Sequence, residues 1–591
     1  MSKFFKYFLA VVLGSVVSFF LFIMMLVLII STLIASSGKS NEVIVKNNSI
    51  LKIDLNGQIS ERVSDDPFSD IFAELYGQEK SFGLNTILSS IKKAKEDDRI
   101  KGIYIESGSL SAGYATVEEI RNALLDFKES GKFIYSFSSV YTQKAYYLAS
   151  VSDKVMLNPN GMFDFRGIAS EVTFYKGLLE KLGIEMQVFK YGAFKSAVEP
   201  FILDKMSDAS RLQMQTYINS LWNQVLKGIS VSRNISVENL NKIADDCTML
   251  RNDEYLKSCG LIDELVYKDE VLDILRELTE ISKDKDLNII SINKYSNVSL
   301  LGKKTKPEKN KIAIIYAEGE ISDGEQDGKG IVAGPLSKAI RDARKDETIK
   351  AIVLRVNSPG GSGLASDIIW REVNLAKAEK PVVVSMGDYA ASGGYYISCA
   401  ADTIVAHPNT LTGSIGVFAM IPNVNGLMKK IGVSSEVVST NKMSDMPSLT
   451  RPYTAEEKAL FQSYTDNFYK IFIQRCADGR KISTEEIDKI GQGRVWSGEN
   501  AISINLVDKL GGIQDAIDIA ARMANLENYQ IVELPEMLSP IDRMVKELMN
   551  SAIAKIEQMM LGEEYKILKT IHELKTGYPI QARMPYEITI N

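Results

Sequence analysis

An internal duplication constrains the fold of this 591-residue chain more than any other feature. The segment DRIKGI at 98–103 resembles ETIKAI at 347–352, and AYY at 145–147 resembles GYY at 394–396. Both pairs are 249 positions apart (347 minus 98). The same offset relates further identical residues, namely Asp153 and Asp402, Pro159 and Pro408, Gly167 and Gly416, and Gly183 and Gly432. Because solenoid repeats are only about 20 to 50 residues long, the sequence predicts two tandem domains built on one plan.

Short β-branched runs alternate with helical patterns inside each repeat. In the second repeat we predict strands at 311–316, 351–355, 381–385 and 403–406. Helices are predicted between them at 336–345, 365–380 and 393–401. This alternation is typical of right-handed βαβ crossovers, so we expect an α/β fold with largely parallel sheets.

The N-terminus predicts a membrane anchor. Residues 8–35 include no charged residue, whereas Lys3 and Lys6 precede the run and Lys39 follows it. About 20 apolar residues span a bilayer as a helix, and a cleaved signal peptide has a shorter apolar core of about 7 to 15. We therefore expect an uncleaved anchor with the bulk of the chain outside the cytoplasm.

The predicted organisation has five parts. They are an anchor at 1–36, a linker at 37–48, a first module at 49–300, a second module at 308–535 and a C-terminal helical extension at 536–591. Apolar residues at helical spacing over 541–568 favour packing against the core or another subunit rather than a second membrane contact.

Composition excludes several functions. A net charge of −6 gives no electrostatic reason to expect nucleic acid as a partner. The four cysteines form no CxxC pair and the two histidines lie far from them, so we predict no metal site and no cofactor. Free thiols are expected, with Cys247 and Cys259 the one pair considered for a bridge.

Three motifs can carry chemistry. NSPGG at 357–361 follows a predicted strand, and its paired glycines allow close approach of the backbone to a ligand. AASGG at 390–394 places Ser392 at a strand-to-helix turn with only small neighbours. Such a serine is expected to be exposed, with backbone N–H donors beside it, as a nucleophile requires.

The third motif, YGAFKSAVEPF at 191–201, surrounds Lys195 with small and apolar residues. Burial lowers the pKa of a lysine amine. At the ordinary pKa of about 10.4 only about one amine in a few thousand is neutral at pH 7, so burial is a condition of its acting as a base. A Ser/His/Asp triad is not favoured, because His407 lies in a His-Pro turn where a structural role suffices and His572 lies in the terminal region.

Together these motifs resemble signal peptide peptidase A in its long, duplicated form, also called protease IV, of peptidase family S49 in the ClpP/crotonase superfamily. The resemblance extends from the anchor to PYEI at 585–588 and includes TGSIG at 412–416. It implies Ser392 as nucleophile and Lys195 as general base. It also implies that Gly361 and Gly393 supply the N–H groups of an oxyanion hole and that Ser414 supports the lysine.

The resemblance also implies the setting of the enzyme. Two ClpP/crotonase-like modules, each a parallel-sheet βαβ superhelix, would follow one transmembrane helix in the bacterial inner membrane, with the catalytic part on the periplasmic side. The implied substrates are signal peptides and other short apolar peptides, and the implied assembly is a homotetramer. One departure is Phe194, since the family motif often has tyrosine before the lysine.

Each module carries half of this site. The counterpart of Ser392 in the first module is Gln143, and ESGSL at 106–110 lacks the paired glycines. The counterpart of Lys195 in the second module is Ser444. We therefore predict one site per chain, formed between the two modules of the same chain.

Two other functions remain open at this stage. A crotonase-like enzyme acting on acyl-CoA would need a catalytic carboxylate at the turn and would not need Ser392. A non-catalytic membrane scaffold would need neither Ser392 nor Lys195.

Overall fold

A computed structural model describes residues 45–63, 80–298, 308–324, 330–537 and 580–583, with scattered helical positions between residues 4 and 25. The predicted anchor and the predicted helical stretch at 541–568 lie outside the described residues, apart from those scattered positions. Within the described part of the chain, no helix has both the length and the apolar character needed to cross a bilayer. Membrane anchoring therefore stays a prediction.

The first half of the chain alternates strands and helices from residue 49 onward. Its elements are β1 Ser49–Ile53, β2 Gly57–Ser60, β3 Ser81–Gly83, α1 Leu84–Glu96, β4 Ile100–Ile105, β5 Leu110–Ser111, α2 Tyr114–Lys128, β6 Phe133–Tyr141, α3 Gln143–Ala149, β7 Lys154–Phe163, α4 Lys176–Leu182, β8 Glu185–Tyr191, α5 Glu199–Ile202, α6 Asp208–Arg233, α7 Val237–Asp245, α8 Asp253–Ser258, β9 Glu264–Leu265, α9 Lys268–Thr279, β10 Ile289–Ser291 and α10 Ile292–Ser296. Short 3₁₀ turns lie at Ser196–Val198 and Thr248–Leu250.

The second half follows the same alternation. Its elements are β11 Lys311–Glu318, β12 Ile321–Ser322, β13 Ile331–Val332, α11 Ala333–Lys345, β14 Ile349–Ser358, β15 Gly360–Ser362, α12 Gly363–Lys377, β16 Val382–Ala391, α13 Gly393–Ser398, β17 Thr403–Ala406, β18 Leu411–Gly413, β19 Val417–Asn423, α14 Asn425–Lys430, α15 Ala455–Arg480, α16 Thr484–Ile490, β20 Val495–Ser497, α17 Gly498–Ser503, β21 Lys509–Leu510, α18 Ile513–Met523, β22 Gln530–Leu534 and β23 Ile580–Arg583.

Each half builds its own parallel sheet. The first sheet has the order β10-β1-β4-β6-β7-β9, and every pair in it is parallel. The second has the order β20-β18-β16-β14-β11-β22, with β17 paired to β16 and β21 paired to β17, and only the β18–β20 pair is antiparallel. A smaller sheet, β3-β2-β5, belongs to the first half. The predicted α/β class with parallel sheets is therefore confirmed.

The central strands extend further than the sequence predicts. β14 is buried at eight of its ten positions, and β16 at nine of ten, as expected for parallel strands covered by helices on both faces. Both strands continue beyond their β-branched runs and end directly at the NSPGG and AASGG turns. The helix predicted at 365–380 begins and ends earlier, at Gly363–Lys377, and the one predicted at 393–401 ends at Ser398.

A third sheet joins the two halves. Its order is β13-β12-β15-β23-β19-β8, so β8 of the first half lies beside β19 of the second. The two strands pair antiparallel from Val417 opposite Tyr191 to Asn423 opposite Glu185. β23 lies in the predicted C-terminal helical extension, so the helical prediction is wrong for these four residues, where main-chain pairing with β15 and β19 holds an extended strand.

The halves also share their apolar cores. Ala391, Leu411 and Val495 of the second half pack into the first core, and Phe189 of the first half packs into the second. The modules are thus folded against each other, with the third sheet and these core contacts on the side where the three motifs meet.

Candidate active site

The strand-to-helix turn at Ser392 holds the backbone in an uncommon conformation. β16 ends at Ala391, α13 begins at Gly393, and Ser392 between them has φ 57° and ψ −114°. Its N–H donates to the carbonyl of Gly413 at 2.8 Å. A non-glycine residue with positive φ is strained, and such strain persists only where the surroundings enforce it. The turn therefore fixes the direction of the serine side chain.

Lys195 reaches this turn because β8 carries it across to the second half. The loop after β8 is fastened by Phe194, whose N–H donates to the carbonyl of Gln492 at 2.9 Å. A Cβ on Gly493 would lie 2.7 Å from backbone atoms of Lys195, so only glycine allows this approach. The lysine loop thus packs directly against residues 492–493.

The side chains of Lys195, Ser392 and Ser414 meet in a fully buried site. Lys195 Nζ lies 2.8 Å from Ser392 Oγ, 3.1 Å from Ser414 Oγ and 3.3 Å from the Ser414 carbonyl oxygen. A neutral amine has two N–H groups and one lone pair. The two oxygens of Ser414 can accept both N–H groups, which directs the lone pair toward the Ser392 hydroxyl.

Burial controls the charge of the lysine. Desolvation lowers the pKa of Lys195 well below its ordinary value. A lower pKa leaves a larger fraction of the amine neutral at a given pH, and only the neutral amine can accept a proton.

The prediction that Ser392 is exposed is wrong. The residue has no accessible surface, although its neighbours in the turn are small as the sequence indicated. The lysine loop contacts it on one side, and β23 lies over the adjacent glycine strand, with Ala582 also fully buried. Small neighbours leave room around a serine, and here other parts of the chain fill that room.

The glycines of the two turns lie against each other. A Cβ on Gly360 would lie 2.7 Å from the nitrogen of Gly393 and 2.1 Å from the carbonyl oxygen of Ala582. That oxygen is also 3.0 Å from the place of a Cβ on Gly393, and Ala582 is the register partner of Gly361. A carbonyl oxygen of an extended segment therefore lies beside the glycines proposed for the oxyanion hole.

Sequence reasoning missed Gln213, a buried residue on α6. Its amide nitrogen donates to the Phe194 carbonyl and to Ser196 Oγ, both at 3.0 Å, and its amide oxygen accepts from the N–H of Val495 at 3.1 Å. Gln213 thus ties the lysine loop to β20. A glutamine within an amphipathic helix has no sequence signal for this role, whereas the paired glycines of GQGR at 491–494 do indicate close approach.

A second buried cluster links the modules behind the glycine turn. Arg355 is fully buried and contacts Glu61 Oε2 and Glu119 Oε2, each at 2.8 Å. Asn357 donates to Glu61 Oε1 at 3.1 Å and accepts from the N–H of Tyr389 at the same distance. Burial raises the pKa of Glu61 to about 7 despite Arg355. Unlike the lysine site, this cluster compensates its buried cation with carboxylates, and it fixes the NSPGG turn.

The counterparts of Ser392 and Lys195 in the other module lie elsewhere. Gln143 is buried; its amide nitrogen donates to the Tyr114 hydroxyl at 2.9 Å, and its amide oxygen accepts from the N–H groups of Arg166 and Gly167 at 3.2 and 3.0 Å. Ser444 lies exposed in a loop, with its hydroxyl bonded to the Asn441 carbonyl.

Metal-binding geometry is not present at this site or elsewhere in the described residues: no three His, Cys, Asp or Glu side chains among them are grouped to hold an ion. All four cysteines are free.

Comparison with known proteins identifies the family. The model of peptidase family S49 matches residues 126–282 and 374–527, one region in each half of the chain. Protease 4 of Salmonella typhi is 38% identical over 86% of this chain and 84% of that protein. Protease 4 of Haemophilus influenzae is 34% identical over 83% and 81%, and the chloroplastic serine protease SPPA of Arabidopsis thaliana is 33% identical over 91% and 78%.

The fold and the family define a serine peptidase with a duplicated α/β architecture. The chain belongs to peptidase family S49, so the predicted family is confirmed. Among solved structures, a ClpP1 point mutant from Listeria monocytogenes is 17% identical, covers 34% of this chain and 94% of that chain, and has a TM-score of 0.24. At that score the likeness adds nothing about the fold.

Proposed function

We propose that the protein hydrolyses short apolar peptides, cleaved signal peptides among them, with Ser392 as nucleophile and Lys195 as general base. The observation that carries the proposal is the 2.8 Å separation of Lys195 Nζ and Ser392 Oγ, two side chains that are fully buried. A buried neutral lysine beside a serine at a strained turn meets the requirements of an activated nucleophile.

The chemistry proceeds through an acyl-enzyme. The proton of the Ser392 hydroxyl moves to Lys195 Nζ as Oγ bonds to the peptide carbonyl carbon. The N–H groups of Gly361 and Gly393 stabilise the oxyanion of the tetrahedral intermediate. The ammonium of Lys195 then protonates the leaving amine as the C–N bond breaks. Water, deprotonated by the same amine, hydrolyses the ester and restores the Ser392 hydroxyl.

An extended peptide fits this site better than an acyl-CoA. β23 runs antiparallel to β15 at Gly360–Ser362 and to β19, with the Ala582 carbonyl beside the glycines. A substrate that took the place of β23 would be held by main-chain hydrogen bonds with its side chains against an apolar core. The acyl-CoA alternative needs a carboxylate at the turn, whereas the described polar contacts of Ser392 and Lys195 are hydroxyl, amine and carbonyl groups.

Fluorophosphonate labelling of the purified full chain tests the proposal. We expect one phosphonyl group per chain, located on Ser392 by mass spectrometry of the digest, and a large loss of labelling in the Lys195→Arg variant. The Ser392→Ala chain is the control for other reactive residues. Labelling at a different residue, or equal labelling of the arginine variant, would contradict the assignment.

The proposal includes the location of the enzyme. Residues 8–35 are uncharged and long enough for a single transmembrane helix, and the short lysine-bearing N-terminus favours a cytoplasmic start. We propose a single-pass protein of the bacterial inner membrane with its catalytic part in the periplasm. Carbonate extraction of membranes that carry the full chain or residues 37–591 tests the anchor. Release of both forms into the soluble fraction would contradict it.

Assembly into a homo-oligomer, a tetramer by family resemblance, is also part of the proposal. Lys195 of the first module contacts Ser392 of the second module within one chain, so the proposed dyad does not require assembly.

A further inference from the structure

A bulge interrupts β16 shortly before Ser392. The register of β14 with β16 shifts between Val356 and Ser358, so that Asn357 alone faces residues 387–389. On its other edge β16 pairs with β18 without interruption. A bulge leaves main-chain groups of the ladder unpaired and bends the strand, and bulges are common next to active sites. This bulge therefore affects the direction in which the strand reaches the serine.

The side chain of Asn357 closes the bulge. Its amide oxygen accepts the N–H of Tyr389 at 3.1 Å, in place of the main-chain carbonyl that a regular ladder would supply. The amide nitrogen then points to the other side, where Glu61 Oε1 accepts its N–H at 3.1 Å. The amide has only this orientation, because a flipped amide would set N–H against the N–H of Tyr389.

Glu61 belongs to the first module and lies in the loop after β2, where it is 3% exposed. Its two carboxylate oxygens have separate partners, since Oε2 accepts from Arg355 Nε at 2.8 Å and Oε1 accepts from Asn357. A Cβ on Gly387 would lie 2.7 Å from Glu61 Oε1 and 3.0 Å from Asn357 Cγ, so the bulge needs glycine to admit both side chains. The first module thus contacts the strand that ends at Ser392.

Asn357 is also the first residue of the NSPGG turn. Its carbonyl accepts the N–H of Gly319 at 2.9 Å, in the turn that leads to β12, and β12 pairs with β15 at Gly361. Asp388 in the bulge adds a second tie to the first module, because its carboxylate accepts the N–H of Thr116 at 2.9 Å at the start of α2. One asparagine therefore connects β16, the glycine turn and the first module.

The corresponding place in the first module is closed differently. By the offset of 249 positions, Gly108 is the counterpart of Asn357 and Val140 is the counterpart of Tyr389. The N–H of Val140 donates to Ser138 Oγ at 3.2 Å, a group of the same strand. The acceptor held by the other module therefore occurs only at the turn that has the proposed nucleophile.

We propose that Asn357 and Glu61 are positioning residues, through which the first module sets the distance between Ser392 and the glycine turn. The first module then shapes the oxyanion hole as well as supplying the lysine. This role rests on the proposed peptidase function, and neither side chain is assigned a contact with substrate. A misplacement of about 1 Å can lower a catalytic rate about a hundredfold.

A reciprocal exchange of the two side chains tests this role. Asn357→Asp keeps the acceptor for the Tyr389 N–H but sets two carboxylates against each other. Glu61→Gln places an amide N–H against Arg355 or Asn357, whichever way the new amide turns. The double variant, Asn357→Asp with Glu61→Gln, reverses donor and acceptor, keeps the net charge and restores the hydrogen bond. Burial raises the pKa of Glu61 to about 7, so assays at about pH 8.5 keep its carboxylate charged.

We expect kcat for an apolar peptide to fall about tenfold to a hundredfold in each single variant, with KM within about threefold of wild type. In the double variant kcat should return to within about threefold of wild type. A role in folding alone would lower the amount of folded chain, which denaturant unfolding measures, and would leave kcat per folded chain unchanged.

Asn409 and Glu118 are the matched control pair. They too are a buried asparagine of the second module and a buried glutamate of the first, and Asn409 Nδ2 donates to Glu118 Oε2 at 2.9 Å. Asn409→Asp creates the same conflict of charge between the modules, but its position between β17 and β18 is on neither turn. We expect it to lower the free energy of unfolding and to keep kcat within about threefold of wild type.

Asn357→Ala removes the amide without adding a charge, and it replaces the aspartate variant in the comparison if that variant does not fold. Three results would overturn the positioning role: wild-type kcat in both Asn357→Ala and Glu61→Gln, a double variant no more active than Glu61→Gln, or an equal loss of kcat in Asn409→Asp. Fluorophosphonate labelling separates this failure from failure of the proposed function. A wild type that is not labelled at Ser392 would overturn the peptidase assignment and this role with it, whereas a labelled and active wild type leaves the variants to decide the role.

Discussion

Helix α3, which follows β6 in the first module, and helix α13, which follows β16 in the second, begin differently. One beginning is closed by hydrogen bonds of its own turn, and the other presents a serine hydroxyl to a distant residue. In the first module α3 begins at Gln143 after Thr142, which has ordinary extended torsions and accepts the N–H of Ala145 with its side chain. In the second module α13 begins at Gly393 after Ser392, which has positive φ and makes no side-chain cap. The first turn is relaxed and closed by its own hydrogen bonds. The second leaves its hydroxyl free for another partner.

The surroundings complete the contrast. Gln143 fills its pocket and satisfies the N–H groups of Arg166 and Gly167. Ser392 fills little space, and its hydroxyl is met by the amine of Lys195. One scaffold therefore supports a residue that satisfies backbone groups at one copy of the turn and the proposed nucleophile at the other. The variants below break or sharpen this comparison.

Removing the nucleophile should have the largest effect. We expect Ser392→Ala to lose peptide hydrolysis by at least about a thousandfold, because no other group can form the acyl-enzyme. Circular dichroism should show an intact fold. Adding Gln143→Ser to this variant should restore nothing, since the counterpart of Lys195 is Ser444, which has no amine and lies exposed in a loop. Hydrolysis above a few per cent of the wild-type rate would contradict the nucleophile assignment.

Replacing the base should have the next largest effect. We expect Lys195→Arg to be as inactive as Lys195→Ala, a loss of about a hundredfold to ten-thousandfold, because a guanidinium stays protonated. In the wild type the pKa of the amine is lowered by burial. Since only the neutral amine accepts a proton, single-turnover rates should rise with pH through that lowered pKa and then level off. A single-turnover rate that falls as pH rises, or an active arginine variant, would argue against a lysine base.

Removing the lysine's hydroxyl partner should have an intermediate effect. Ser414→Ala removes the acceptor at 3.1 Å and keeps the carbonyl at 3.3 Å. The amine loses one of two orienting bonds, so we expect kcat to fall about tenfold to a hundredfold. Ser398→Ala is the matched control, because that buried serine bonds only within α13. Equal kcat values for both variants would mean that the Ser414 hydroxyl does not contribute to catalysis.

Replacing Gln143, the counterpart of Ser392 in the first module, should lower stability and have the smallest effect on activity. Gln143→Ala empties a buried position and leaves the N–H groups of Arg166 and Gly167 without their side-chain acceptor, so we expect the free energy of unfolding to fall by about 1 to 3 kcal/mol. Denaturant unfolding measures this change. Peptide hydrolysis should stay within about twofold of wild type, because the turn lies in the other module. A large loss of activity would mean that the first turn contributes to catalysis.

The sequence predicted much of the fold because its signals are local or repeated. β-branched runs marked β11, β14, β16 and β17, and the offset of 249 positions marked the duplication. The contact between Lys195 and Ser392 was predicted through family resemblance, since residues 197 positions apart have no local signal of proximity.

Other features could not be read from one sequence. The burial of Ser392 depends on the lysine loop and on β23, which come from distant parts of the chain. The Arg355 cluster joins Glu61, Glu119 and Arg355 from both modules, and isolated charged residues look the same whether they face solvent or a partner. Strand β23 is four residues long and pairs only with distant strands, so its own sequence predicts no structure.

The packing of Lys195 against Gln492 and Gly493 has a consequence for the timing of synthesis. After the ribosome has added Lys195 to the chain, it must add about 300 more residues before Gln492 and Gly493 are present to pack against the lysine. This takes roughly 15 to 60 seconds at about 5 to 20 residues per second. Throughout that interval a nascent chain has the base but not the completed site. We expect hydrolytic activity to begin only when translation is nearly finished, so that a growing chain cannot cleave its neighbours on the same message.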